Sequence, residues 1–546
     1  MGKDGKKRWA RARARRRIVG RFLLYFLGGI ALFTFEPFGF DDLTDSYSER
    51  IAQFLLGPFY QSDWPEALGG PAPGAEAGES AVTVVMLDNT AQDQLDLTWP
   101  IPYPYHARAI QSILRSCPRA LFVDFRFVRE HEKAEIGFLD RTLESYFGPT
   151  AAIEKSKYEL LADKPPGGIP PHKRSGAYKC AQQAQFIDPD DAGYFNVGRY
   201  PLFFALAEEA KTDLIGRLGA YGEALPTRFV KDGRVQDFDG GYPIAVDPDA
   251  GRLIATPAVA LYRSFSSDSA AQAALPPPQG SGFEHPMFMR WRYWPNPRQA
   301  EYREIEGCAP RDGFGDPLTD PQVWGKLLEL SWQALLSGVR SRAEADQAYC
   351  PPFLEIPAQL LMHPGTDPES YRADLAGRVV FYGGNLSQTP DIAFSPVHGP
   401  IPGVYVHATA FDNLMTYGPG AYPKRLPEEA TRWLEILLLG VLAAFAVWRQ
   451  ERRDDAYVVE ETSPVEADRE DLLLFLEAVG ITLAIMALGL AIALIWRVAP
   501  ANFIGLAGVS GAIGAVQGSG LYHPVYWISG RIATGLGRLR RALTPD

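Results

Sequence analysis

Cysteine is scarce in this chain. Its 546 residues hold four, Cys117, Cys180, Cys308 and Cys350, and no two form a C-x-x-C pair. That spacing argues against a zinc ribbon or a dithiol redox motif. The G-x-S-x-G elbow, the G-x-x-x-x-G-K-[ST] phosphate loop and the H-E-x-x-H zinc pair are absent as well; His131-Glu132 lacks its second histidine. Acidic residues outnumber basic ones over most of the length. The net charge is −11, yet the first 21 residues carry ten Lys/Arg against one Asp, which leaves −20 on the remainder. An acidic body argues against nucleic acid or anionic lipid as its partner. Between residues 36 and 432 no run is long and apolar enough to cross a membrane.

Apolar runs are confined to the two ends. Ile18 to Phe35 is nearly free of charge and follows Arg11, Arg13, Arg15, Arg16 and Arg17. A basic flank ahead of an apolar run keeps the N-terminus in the cytosol. The rival reading is a cleaved signal peptide, but no small-residue cleavage site follows; Glu36-Pro37-Phe38 stands there instead. Three further runs are Trp433–Trp448, Leu472–Trp496 and Asn502–Leu521. Alternation then places both basic flanks, Arg449 to Arg453 and Arg531 to Arg541, on the cytosolic side. The expected layout is a basic N-terminus (1–17), a span (18–35), an exported domain (36–427), a span (433–448), a cytosolic loop (449–470), spans at 472–496 and 502–521, and a short basic tail (522–546). That describes a multi-pass protein of a bacterial cytoplasmic membrane with its large domain in the periplasm or outside the cell. Glu435 and Glu477 sit near span ends, within reach of headgroups, and an intramembrane carboxylate is also a functional candidate. Gly508, Gly511, Gly514 and Gly518 recur at helical spacing in the last run, where small residues let helices approach one another or a partner.

Within the exported region, Ala81 to Leu87 is a continuous β-prone run of the kind buried on both faces, and it stops at Asp88-Asn89-Thr90. Trp99-Pro-Ile-Pro-Tyr-Pro-Tyr105 is a rigid approach to an amphipathic helix predicted over His106–Ser116. Ala120–Val128 is a second strand, so strand, helix and strand make a βαβ unit with a parallel pair. At the far end Arg378–Tyr382 is a strand broken by Gly383-Gly384, and a helix runs from Val404 to Met415 after Pro402-Gly403. Tyr194–Val197, Tyr242–Val246 and Met287–Tyr293 are expected to extend the same sheet. The fold class is α/β, a mixed, largely parallel sheet with flanking helices, together with about four transmembrane helices.

These residues carry a resemblance. Val84-Val-Met-Leu-Asp88, Trp99-Pro-Ile-Pro-Tyr-Pro-Tyr-His106 and Ala120-Leu-Phe-Val-Asp-Phe125 resemble the opening of the CHASE domain of the second type. Leu375 to Gly384, Asp391, Pro402-Gly-Val-Tyr-Val-His-Ala408 and Asp412-Asn413-Leu414 are similar to its close. The likeness runs from about Phe40 to Tyr417. It implies an exported sensory domain that drives a cytosolic cyclase or kinase. After the last apolar run only a short tail remains in the sequence given, so output is expected through an associated membrane subunit.

In open parallel sheets ligands bind beyond the carboxyl ends of the strands. Asp88, Asp124, Gly384, Asn385 and Asp391 are expected there, with His106 and His407 on the neighbouring helices as further candidate ligand-binding residues. Each has a plainer reading. Asp88 serves a turn, Asp124 pairs with Arg126, His106 holds Asp88, and His407 is a hydrogen-bonded core histidine. No catalytic residue, metal site or cofactor is assigned. Partners are expected to be the bilayer and either a membrane or envelope protein or a second copy of this chain. A sensory or interaction module, its purely structural scaffold version, and an exported metal-dependent hydrolase using Asp88 and Asp124 all stand open. Two disulfides fit an exported domain with four cysteines; Cys308–Cys350 is the favoured pair, with Cys117 read as simply buried. Peptide mapping without reduction is expected to recover the Cys308–Cys350 cross-link and to lose it in Cys308→Ser.

Overall fold

A computed structural model describes residues 18–31, most of 44–56, 82–125 and 133–147, short stretches between 202 and 302, nearly all of 351–457, and parts of 480–506. The chain divides into two compact units, residues 53–425 and a second made of residues 1–52 and 426–546.

The first unit is built on six parallel strands: β1 (Val82–Asp88), β2 (Ala120–Val123), β3 (Leu202–Leu206), β4 (Glu223–Pro226), β5 (Leu354–Pro357) and β6 (Val379–Asn385). Their order across the sheet is β4-β3-β2-β6-β1-β5, and every described pairing is parallel. β1 is buried along its whole length, as an apolar run covered on both faces requires. Alternation sends Val85 and Leu87 to one face and Val82, Val84 and Met86 to the other.

On the first face lie α1 (Asn89–Gln94), α2 (Tyr103–Arg115), α3 (Lys133–Phe147), α5 (Ala358–Met362) and α6 (Glu369–Leu375), with Ile110, Ile113, Leu114, Leu139, Leu143, Leu361 and Leu375 buried against the sheet. The second face is covered by α4 (Pro257–Ser264) and α7 (Val404–Tyr417), through residues such as Val259, Leu261, Val404, Phe411 and Leu414.

Several sequence expectations are corrected here. β1 and β2 form no adjacent pair, because β6 inserts between them. Gly383 and Gly384 do not break β6; they pair with Met86 and Leu87. Their smallness serves packing. A Cβ on Gly383 would fall 2.6 Å from Val404 Cβ, and one on Gly384 would fall 3.1 Å from the Phe125 ring. α2 starts at Tyr103, three residues early, since Pro104 is tolerated in a first turn. Tyr242–Val246 and Met287–Tyr293 do not extend the sheet. Tyr242 and Met287 instead bridge each other antiparallel, and Ala245–Val246 pairs with Ile254–Ala255. Cys117 is half-buried and disulfide-bonded; Cys180, Cys308 and Cys350 lie outside the described residues. The stretches at Tyr194–Val197 and Gly508–Gly518 also lie outside them.

Side-chain amides stand in for missing strand neighbours at two places. Gln299 donates to Glu355 O at 3.0 Å and accepts from Glu355 N–H at 2.7 Å, closing the open edge of β5. Asn413 of α7 does the same for Arg290, accepting from its N–H and donating to its carbonyl, each at 2.8 Å. Next to it, Arg292 and Asp412 make a buried ion pair at 2.8 Å.

In the second unit, α8 (Glu428–Tyr457) contains Glu429–Trp448, the one described helix long and apolar enough to cross a membrane; Ile18–Ala31 and Met486–Ile495 are shorter apolar helices. Leu439 of α8 fits onto Gly29, where a Cβ would fall 2.5 Å away, and Arg21 pairs with Glu451 at 2.9 Å. These two contacts run the helix that starts at Ile18 antiparallel to α8.

Gly383→Ala is expected to cost about 1–3 kcal/mol through overpacking, read as a lowered unfolding midpoint. Adding Val404→Ala is expected to return part of the loss.

Candidate functional site

The carboxyl ends of β1 and β6 meet at one edge of the sheet, where open parallel sheets form a crevice. After β1 the chain turns to the face of α1 and α2, and after β6 it reaches α7 on the opposite face. Adjacent strands whose continuations part in this way mark the switch point of an open parallel sheet. Asp88 and Asn385 stand side by side there. The crevice is bridged by the chain itself. Asn89 Oδ1 accepts from Ser387 N–H at 3.1 Å and lies 3.2 Å from Ser387 Oγ, which fixes the loop after β6.

Asp88 caps α1, its Oδ1 accepting from Ala91 N–H at 2.8 Å. It is 7% exposed. His106 is buried among Phe125, Phe127 and Tyr382, with Nδ1 3.0 Å from Tyr382 Oη. Burial pushes its pKa down to about 3 and raises that of the Tyr382 phenol. Both groups are therefore neutral at ordinary pH, and His106 is held by Tyr382.

On the α7 side a second group forms. Asp124 follows β2, half-buried, with its N–H donating to Tyr382 O at 2.7 Å. Tyr242 Oη accepts from Ala258 N–H at 3.1 Å at the start of α4 and lies 3.0 Å from His407 Nδ1. Burial raises the Tyr242 pKa, and the Asp124 charge adds to the shift. His407 also meets the Phe122 ring edge-on at 5.5 Å. Asp391 is exposed at the start of α7, its carbonyl accepting from Gly403 N–H at 2.6 Å. A Cβ on Gly403 would come 2.6 Å from its Oδ2, so this carboxylate occupies the positive end of α7. Gly403 leaves room for the chain's own anion.

The seven sequence candidates thus separate into three places. Asp88, Gly384 and Asn385 line the β1–β6 crevice, Asp124, His407 and Asp391 belong to the α7 side, and His106 lies in the core behind α2. Tyr242 and Tyr382, which hold the two histidines, were not singled out by sequence. An isolated tyrosine in a β-prone run carries no signal of which histidine it will meet across the fold. Among the described residues no group of three or more His, Cys, Asp or Glu is placed to hold a metal ion.

The fold is a three-layer α/β domain with its switch point between β1 and β6, in a chain that also carries an apolar helix of membrane length. The CHASE2 domain family model matches residues 59–445, from before β1 to well inside α8. The chain belongs to the CHASE2 domain family, a family of extracellular sensory domains. No curated protein matches the chain, and no solved structure does.

The buried, neutral His106 gives a pH prediction. Its folded pKa lies below the unfolded value, so as pH falls the unfolded state takes up the proton first. The stability it contributes is complete above pH 6.5 and is lost toward pH 3, with a slope of about 1.4 kcal/mol per pH unit. Denaturant titrations of His106→Gln are expected to show a flatter acid limb than the parent; equal limbs would contradict the assignment.

Proposed function

We propose that this protein is an outward-facing sensory module of a bacterial cytoplasmic membrane. In this reading it binds a small ligand or an envelope partner at the β1–β6 crevice and acts through an associated membrane subunit. The observation that carries the reading is the continuity of the family match, which spans the sheet domain and enters α8 without interruption. A sensory domain and an apolar helix that belong to one family unit are expected to work together.

Three further features support it. The exposed side of α8 presents Trp433, Leu437, Val441 and Trp448, an apolar stripe with tryptophan at both ends, as at the two interfaces of a bilayer. The opposite side buries Leu438, Leu439 and Leu442 with Leu506. Asn385 at the crevice and Asp124 on the α7 side both remain partly exposed, which places polar side chains near the sheet edge where a ligand would arrive. The multi-pass topology, with both termini in the cytosol, follows from the basic flanks and fits the antiparallel contact of Arg21 with Glu451.

Purification of the full chain from native membranes is expected to recover a co-migrating membrane or envelope protein. Asn385→Ala with Asp124→Asn is expected to lower its retention at least about tenfold, the effect of losing one or two hydrogen bonds to charged or polar partners, while α8 and its neighbours stay assembled. A solitary chain with neither partner nor ligand would overturn the reading.

A further inference from the structure

β5 stands at one end of the described strand order, with β1 on its inner side. An edge strand of this kind offers its outward N–H and C=O groups to any extended chain. Glu355 turns both of its main-chain groups away from β1, and Gln299 takes both, the N–H at 2.7 Å and the carbonyl at 3.0 Å. Two residues further on, Pro357 has no N–H to offer, and Pro351 and Pro352 precede the strand. The hydrogen-bonding capacity of this edge is therefore concentrated at Glu355. One side-chain amide satisfies it.

That amide is held in place by contacts outside the sheet. Gln299 opens the helical turn Gln299–Tyr302 and is buried. On either side of it, Arg298 and Tyr302 both reach the buried carboxylate of Asp374 in α6. Arg298 donates through both Nη atoms, and Tyr302 Oη also donates to Ser370 O at 3.1 Å. The Asp374 carbonyl in turn accepts from Thr83 Oγ1 of β1 at 2.7 Å. Residues 298–302 thus cross from α6 to the strand edge as a strap. Its solvent side carries Ala300 and Glu301, both exposed.

We propose that residues 298–302 hold the β5 edge closed, and that releasing them makes this edge a contact with a second copy of this chain. A second copy fits because the slot is short and self-complementary. In antiparallel strands, two directly opposed residues exchange both N–H···O bonds. Two β5 strands related by a two-fold axis at Glu355 make that exchange, and it replaces the two bonds that Gln299 supplies. The same axis sets Phe353 N–H opposite Pro357 O, so that pair keeps a bond despite the proline. A longer partner strand would meet Pro351 and Pro352 on one side and Pro357 on the other, and would gain nothing from its length.

Amide exchange of the full chain tests it, read at Glu355 with the protein either at one copy per lipid nanodisc or crowded in vesicles. Gln299→Leu removes both bonds to Glu355. In single-copy nanodiscs it is expected to raise exchange there at least about tenfold, the effect of losing buried hydrogen bonds. In crowded vesicles, pairing by mass action is expected to return exchange to within about twofold of the parent. Energy transfer between donor- and acceptor-labelled copies is expected to rise above the parent's under the same crowding. Asp374→Asn keeps the amide but loosens its anchor, and is expected to give the same pattern at smaller amplitude. Protection of β1 and β6 reports that a variant is folded; where Gln299→Leu loses it, Asp374→Asn decides. Exchange at Glu355 unchanged in nanodiscs, or raised equally in nanodiscs and vesicles with no added energy transfer, would overturn the proposal. No ligand or second protein enters the experiment, so a failure of the sensory reading leaves these outcomes as they are.

Discussion

The pairing of β1 with β6 is the constraint on which the rest of the sensory unit depends. Seven residues from the beginning of the domain lie in parallel register with seven from near its end. All segments between must leave and return without disturbing that seam. Both strands are covered on both faces, so a one-residue slip would exchange Val84 and Met86 with Val85 and Leu87 between two different helix layers. The glycines of β6 tighten the same seam by admitting Val404 from one side and Phe125 from the other. Once the register is fixed, Asp88 and Asn385 stand together at the carboxyl edge with no further adjustment.

Much of this was legible in the sequence wherever one principle acted alone. The run from Val82 to Leu87 read as a doubly covered strand because every position is apolar or β-branched. The helix at Val404 read correctly from its start because Pro402-Gly403 precedes it. What escaped were features set by distant partners. β6 entered between β1 and β2 although nothing local to either strand shows a third. Gly383-Gly384 looks like a breaker until Val404 and Phe125 are placed over it. β3 and β5 were missed as short strands, the first five residues long and the second four. Tyr242–Val246 read as part of the sheet, and it forms a separate antiparallel patch with Met287 and with Ile254–Ala255 instead. The candidate site was legible to the level of the sheet edge. Its division into a crevice, an α7-side group and a core histidine was not, since Tyr242 and Tyr382 determine it.

The buried polar groups show how such a domain is held rigid. His106, Asp412 and Asn413 are satisfied inside the fold, each by a partner far away in sequence. Breaking a buried ion pair such as Arg292–Asp412 by removing one partner costs about 3–5 kcal/mol, so α7 and the 289–292 segment hold together as one body. Gln53 adds to that body, its Nε2 donating to Met289 O. At the crevice, Asn89 and Ser387 bridge the ends of β1 and β6 through exposed side chains, a neutral hydrogen bond of modest strength. A ligand that displaced this bridge would act on the loop between β6 and α7.

Sidedness is the most direct test of an outward sensory module pinned by antiparallel apolar helices. Single reporter cysteines at Ser387, on the crevice, and at Glu451, beyond the far end of α8, can be probed in intact cells with a membrane-impermeant maleimide. Ser387→Cys is predicted to react from outside, and Glu451→Cys only after the membrane is opened. Protection of Ser387→Cys together with outside labelling of Glu451→Cys would contradict the placement of the domain.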